Sequence, residues 1–377
     1  MTEMNRQLTT ETTRVAAQMT DPVTDINIEA KRLAERLARP ELLTLSPYQS
    51  ARRLGGRGDI WINANESPFN NAGLDRLNRY PECQPPELLQ AYSRYSGVKP
   101  GQIVAGRGAD EAIELLVRTF CVPGADSIAC FGPTYGMYAI SAKTFNVAVK
   151  ALALTDAYDL PEDFATQVSG AKLVFVCNPN NPTGTVIDKA RIEDIIRALP
   201  SALVVVDEAY IEFCPEYSVA DLLDSYPNLV VLRTLSKAFA LAGARCGFML
   251  ANEAIVELVM RVIAPYPVPL PVAELAIATL SQAGIARMGQ QVAELKRQGA
   301  RLTAALEAYG AKVLPANGNY VLAQFASLAE LTAIGAKLQG AGVVARSYQD
   351  PRLAQAIRFS FSDADDTDVL VTLLGDR

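Results

Sequence analysis

The chain has 377 residues, half of them hydrophobic and a fifth charged, with a formal net charge of -6. That length predicts two to three domain-sized units with ample core, and basic residues scattered through an acidic chain exclude an electrostatic footprint for nucleic acid. No apolar run reaches the roughly 18 residues of a membrane span, and the start, MTEMNRQLTTETTRVAAQMTD, lacks the apolar stretch of a secretory signal, so a cytoplasmic protein is expected.

The sequence contains no histidine, which removes imidazole as general base, metal ligand or partner of a nucleophilic serine. Cys83, Cys121, Cys130, Cys177, Cys214 and Cys246 are far apart, with no paired spacing for zinc or redox work. They read as reduced core residues, and no metal site is expected.

In chain order, the first forty or so residues are polar, with a helical stretch from Ile28 to Leu37, and residues 1–56 are expected to form an N-terminal arm and part of a small domain. From Gln102, β-rich runs alternate with amphipathic segments. IVAG (Ile103–Gly106), SIACF (Ser127–Phe131), KLVFVC (Lys172–Cys177), ALVVVD (Ala202–Asp207) and LVVLRT (Leu229–Thr234) are the runs. Between them EAIELLVRTF keeps Ile113, Leu116, Val117 and Phe120 on one helical face. Such alternation predicts an α/β fold with a mainly parallel sheet sandwiched by helices. APYPVPLPVAE carries prolines at 265, 267, 269 and 271, which are expected to end any helix there. The large domain is accordingly placed at 57–268, and a smaller α+β domain at 269–377, with a long helix and strands in NYVLAQF and AIRFSF.

Ligands of parallel α/β sheets gather beyond the carboxyl ends of the strands. There the chain reads RGADE (Arg107–Glu111), NPNNPTG (Asn178–Gly184), DEAY (Asp207–Tyr210) and RTLSK (Arg233–Lys237). Singly these are a glycine turn capping a helix, a bend, an acidic helix start and a surface pair. Four in order, each at a strand end, point instead to a site.

Lys237 follows a strand and enters the small-residue stretch AFALAGARCG. Desolvation there disfavours its ammonium form and leaves a nucleophilic amine, the kind that forms Schiff bases with carbonyls, including that of pyridoxal phosphate. That cofactor requires a carboxylate to keep its ring nitrogen protonated, and Asp207 is suited to it. Its phosphate requires donors: the helix start at Gly108, Ala109 and Asp110 offers backbone N–H groups, with Ser236 and Arg245 alongside. Asn181 and Tyr210 are candidates to hold the ring's phenolic oxygen, and Tyr135 to stack on the ring.

NPNNPTG, then DEAY, then LSKAFALAGARCG resembles the fold-type I pyridoxal-phosphate aminotransferases. Within that family LSPYQSARRLGG, WINANESP, NRYPECQP and RGADEAIELL resemble the branch acting on histidinol phosphate, from about Leu43 nearly to the C-terminus. The resemblance implies catalytic roles for Lys237, Asp207 and Tyr210. It implies a homodimer in which Tyr80 reaches the cofactor phosphate of the neighbouring subunit. Tyr48, Asn65, Arg346 and Arg358 would bind substrate, with histidinol phosphate, 2-oxoglutarate and glutamate as the small-molecule partners of histidine biosynthesis. Two features depart from the family pattern: Ser362 where a glycine is usual, and a slightly short segment between Arg346 and Arg358. Rival readings are an aromatic amino-acid aminotransferase, a phosphothreonine decarboxylase and, from another class, a transcription regulator on the same fold. The last needs a basic helix-turn-helix domain, and the N-terminal forty residues are too short and too mixed in charge for one.

Overall fold

A computed structural model describes residues 22–375 apart from 56–59, 72 and 74. The expected break between 56 and 57 and the tip of the arm lie outside the described residues. A seven-stranded sheet has the order β1-β7-β6-β5-β4-β2-β3. Its strands are β1 (Ile103–Gly106), β2 (Ser127–Gly132), β3 (Ala148–Ala153), β4 (Leu173–Cys177), β5 (Leu203–Asp207), β6 (Leu229–Thr234) and β7 (Gly247–Ala251). Strands β2 to β6 pair in parallel, and β7 runs antiparallel to both of its neighbours, β6 and β1.

The period of two in the strands explains why these runs are apolar throughout. Val174, Val176, Val204, Val206 and Val231 face one apolar cluster, with Leu88, Tyr92, Ile192 and Ile195 from covering helices. Leu173, Phe175, Leu203, Val205 and Val230 face the other, with Ile113, Leu116, Ile255 and Val259. Both faces are buried, so alternation disappears into continuous hydrophobicity. Each such side chain contributes roughly 1.5–3 kcal/mol of transfer free energy, and the strand ends beneath the site are held as a rigid frame.

The arm departs from expectation. Helix α1 (Pro22–Leu37) buries Leu33, Ala34 and Leu37 in the second of these clusters, beside Ile255 and Val259 of a later helix. Arg39 N–H donates to Thr119 O at 3.0 Å. This segment is therefore packed on the large domain and not on the small one, because its apolar face finds its partners there. The proline-rich stretch departs too. A helix ends at Val262, but α2 (Leu270–Thr279) begins inside the prolines, with Pro271 in its first turn, where a missing N–H costs nothing. Ala273, Ala276 and Leu280 lie in the large core, which extends beyond the expected boundary at 268.

The small unit has a four-stranded antiparallel sheet, β10-β11-β9-β8, formed by β8 (Lys312–Val313), β9 (Tyr320–Gln324), β10 (Arg346–Ser347) and β11 (Ala356–Ser360). Its own core includes Leu302, Val321, Ile334, Phe359 and Leu370. Ser362 lies just before the last helix, Ala364–Gly375, where its hydroxyl donates to Asp366 Oδ2 at 2.5 Å, while Asp363 Oδ1 accepts from Asp366 N–H at 3.0 Å.

Among the contacts that fasten this unit to the strand-end loops of the large sheet, three carry the joint. Tyr320 donates its hydroxyl to Asn180 O at 2.6 Å. Gly184 adopts φ +72°, and a Cβ there would lie 2.3 Å from Pro315 O, so only glycine permits the approach. Arg352 donates to Leu154 O and Thr155 O at 2.7 Å each and to Gly132 O at 3.4 Å, with its guanidinium 5.1 Å from the Tyr158 ring centroid.

Candidate active site

A cavity of about 570 Å³ opens above the carboxyl ends of the parallel strands, within the size range of small-molecule sites. The loop after β1 brings Ala109 and Asp110, that after β2 Thr134 and Tyr135, and that after β4 Asn181. Strand β5 ends in Asp207, followed by Tyr210. The β6–β7 connection brings Ser236, Lys237 and Arg245, and the small unit adds Arg346, Tyr348 and Arg358. The residues expected around the cofactor, except Gly108 and Tyr80, thus line one cavity.

Consecutive residues of a strand point to opposite faces, which separates Asp207 from Glu208. Glu208 is fully buried behind the sheet, accepting from Arg233 Nε at 2.6 Å, and is not an exposed acid of a helix start. Asp207 borders the cavity while only 3% exposed. Burial raises its pKa to about 6, against the partial opposing effect of the Tyr138 hydroxyl, which donates to Oδ2 at 2.6 Å, and of Ala209 N–H, which donates to Oδ1 at 3.1 Å. The Lys237 amine, 5.3 Å from the Tyr210 ring centroid, has its pKa lowered by burial and then by the Arg358 charge. A carboxylate that is costly to ionise and an amine that is easy to neutralise share one cavity.

Asn181 Nδ2 donates to Tyr210 Oη at 3.2 Å, and its Oδ1 accepts from Arg358 at 2.6 Å. At the opposite end the helix Ala109–Phe120 starts at the cavity wall, preceded by Gly108 at φ +90°. A Cβ on Gly108 would sit 2.8 Å from the Arg245 guanidinium, and one on Gly247 would sit 2.6 Å from Ala109 N. The two glycines let strand, helix start and arginine converge. Arg245 reaches Asp110 at 3.2 Å and Ser236 Oγ at 3.4 Å, and Tyr135 donates to Asp110 at 2.9 Å.

Arg346 and Arg358 are paired across β10 and β11, so their side chains share one face. Like charges directly opposite repel, and among the described residues neither is ion-paired with a carboxylate. Tyr48, Asn65 and Tyr80 are not brought into this cavity. Tyr48 and Tyr80 are exposed, and Tyr80 stacks on Tyr266 with ring centroids 4.4 Å apart. Sequence reasoning missed Tyr138 and Tyr348. No regular spacing marks them: Tyr135 lies before the helix Met137–Thr144 that bears Tyr138, and Tyr348 lies just past β10.

A sheet whose parallel strand ends deliver a lysine, a buried aspartate and a helix start to one cavity matches a known class, and the comparisons agree. The chain belongs to the family of aminotransferases of class I and II, whose model matches residues 60–374. Over 362 residues, 94% of this chain and 92% of the relative, it is 70% identical to a histidinol-phosphate aminotransferase of Shewanella oneidensis. It is 59% identical to that of Shewanella amazonensis over 91% of this chain and 95% of the relative. Within the class it therefore stands among the histidinol-phosphate aminotransferases. Among solved structures, that enzyme from Sinorhizobium meliloti, in complex with pyridoxal-5'-phosphate, superposes with a TM-score of 0.70 at 26% identity, covering 78% of this chain and 82% of the other.

Proposed function

We propose that this chain transfers the amino group of histidinol phosphate to 2-oxoglutarate, yielding imidazole acetol phosphate and glutamate, with pyridoxal phosphate as cofactor. The carrying observation is that Lys237 and the buried Asp207 face one cavity with two arginines, Arg346 and Arg358, that have no carboxylate partner among the described residues.

The donor set fits the cofactor. Ala109, Asp110, Ser236 and Arg245 would hold its phosphate, Tyr135 its ring face, Asn181 and Tyr210 its phenolic oxygen, and Asp207 its ring nitrogen. When bound, that group supplies a carbonyl for the amine and a ring that withdraws electrons from the substrate Cα. Lys237 is the base for the Cα proton: the cavity lowers its pKa, and no histidine exists to take the role. Asp207 opposes the positive charge of a protonated ring nitrogen in a site from which burial excludes water. Tyr210 keeps the Asn181 amide directed through its hydroxyl. Arg346 and Arg358 match the anions of both substrates, because a guanidinium pairs with phosphate or carboxylate alike.

A second copy of the chain would complete the site. Ile60, Ile62 and Phe69 are exposed near Tyr48 and Tyr80 in sequence, and an apolar segment of this kind suits an interface. We assign Tyr80 to the neighbouring subunit's phosphate group, and Tyr48 and Asn65 to the substrate side. The six free cysteines are compatible with a cytoplasmic setting. The test is the absorbance spectrum of the loaded protein. Histidinol phosphate should abolish the visible band, and 2-oxoglutarate should restore it. A band that responds to phenylalanine but not to histidinol phosphate would favour the aromatic aminotransferase.

A further inference from the structure

Tyr348 has no role in the reading above. It lines the cavity beside Arg346 and Arg358, and its ring centroid is 6.0 Å from the Arg346 guanidinium. Its hydroxyl is shut from solvent and has no hydrogen-bond partner among the described residues. Arg358 Nε, which belongs to the same cavity wall, is likewise a buried donor without a partner among them. Buried polar atoms are nearly always paired, so two orphaned donors on one wall call for a ligand.

The two substrates differ in what they ask of this corner. A carboxylate presents two oxygens in a plane, which a guanidinium fork satisfies. A phosphate monoester presents three terminal oxygens in a tetrahedron and carries close to two charges. The third oxygen requires a donor from another direction. We propose that Tyr348 supplies it, and that its hydroxyl is the specificity element that favours the phosphorylated substrate over the dicarboxylate at a shared pair of arginines. The assignment of these two substrates rests on the function proposed above.

Tyr348→Phe removes the oxygen and keeps the ring beside Arg346. On the holoenzyme, the half-reactions with histidinol phosphate and with glutamate can be followed separately. A charge-assisted hydrogen bond implies a loss of about 10-fold or more in kcat/KM for histidinol phosphate, carried by KM. With glutamate the loss should be no more than about twofold. Binding without chemistry gives a second reading: calorimetric titration with propyl phosphate should show the same weakening, while propanoate binding is unchanged. Equal losses on both substrates, or none on either, would overturn the assignment. If the unmodified enzyme ignored histidinol phosphate altogether, the proposed function would fail, and the propyl phosphate titration would still decide the role of Tyr348.

Discussion

The most exacting perturbation is Asp207→Asn, because the site and the fold place opposite demands on that carboxylate. Burial lifts its pKa from 3.8 to about 6. At about 1.4 kcal/mol per tenfold change in proton affinity, keeping Asp207 ionised in the cofactor-free protein costs roughly 3 kcal/mol. The folded pKa lies above the unfolded one, so the folded chain binds the proton more tightly. The cost is absent below about pH 4, grows through the interval, and is complete above about pH 6. Asparagine removes the charge and keeps the shape: its oxygen can still accept from Ala209 N–H, and the Tyr138 hydroxyl can reverse to accept from its amide. Cofactor-free Asp207→Asn should therefore be more stable than the parent at pH 8, by about 1–3 kcal/mol, and should lose that advantage by pH 4. Denaturant titrations of both proteins at the two pH values measure this. In the loaded enzyme the same change should cost at least about 100-fold in kcat at pH 8, if Asp207 has the role at the ring nitrogen proposed above. A variant less stable at pH 8, with near-normal turnover, would mean that Asp207 serves as a cap for Ala209 and not as an electrostatic group of the site.

Lys237→Ala should abolish steady transamination, a fall of ~10²–10⁴-fold or more, while far-UV dichroism stays unchanged; turnover near the parent rate would remove Lys237 as the base. Gly247→Ala places a methyl group 2.6 Å from Ala109 N and should cost ~1–3 kcal/mol, with weaker cofactor retention on dialysis. Unaltered retention would separate the helix start from the phosphate. Arg352→Ala strips donors from three carbonyls that join the two units. It should lower stability by about 1–3 kcal/mol, with Arg352→Lys recovering only part of it, and a denaturation midpoint equal to the parent's would show that the clamp is idle.

Much of the large sheet was legible because its strands are buried on both faces. LVFVC and LVVVD have no other economical reading, and the motif following each strand marks the edge where ligands gather. The antiparallel course of β7 was not legible, because GFMLA is as apolar as its parallel neighbours and direction leaves no mark on composition. The docking of α1 escaped for a different reason: Leu33 and Leu37 show that the helix has an apolar face, and only the partner side chains show which unit it covers. Within the site, Lys237 and Asp207 announce themselves by standing at strand ends. Tyr138 and Arg352 act through contacts with Asp207 and Leu154, 69 and 198 residues away, and no local pattern carries such a pairing. Tyr48, Asn65 and Tyr80 were singled out by motif alone, and within one chain they lie outside the cavity.

Because β7 returns beside β6, the segment bearing Ser236, Lys237 and Arg245 is a connection between adjacent strands, closed at its base by Leu235 N–H donating to Cys246 O at 3.0 Å. The connection runs from Leu235 to Cys246 and joins antiparallel neighbours without crossing a face of the sheet. The amine and the guanidinium thus ride on one strap whose ends are clamped by the frame. The spacing between those two groups is therefore set by the large sheet alone, whereas Arg346 and Arg358 reach the same cavity from the small unit. The amine and the latter two guanidinium groups are thus positioned by different units of the molecule.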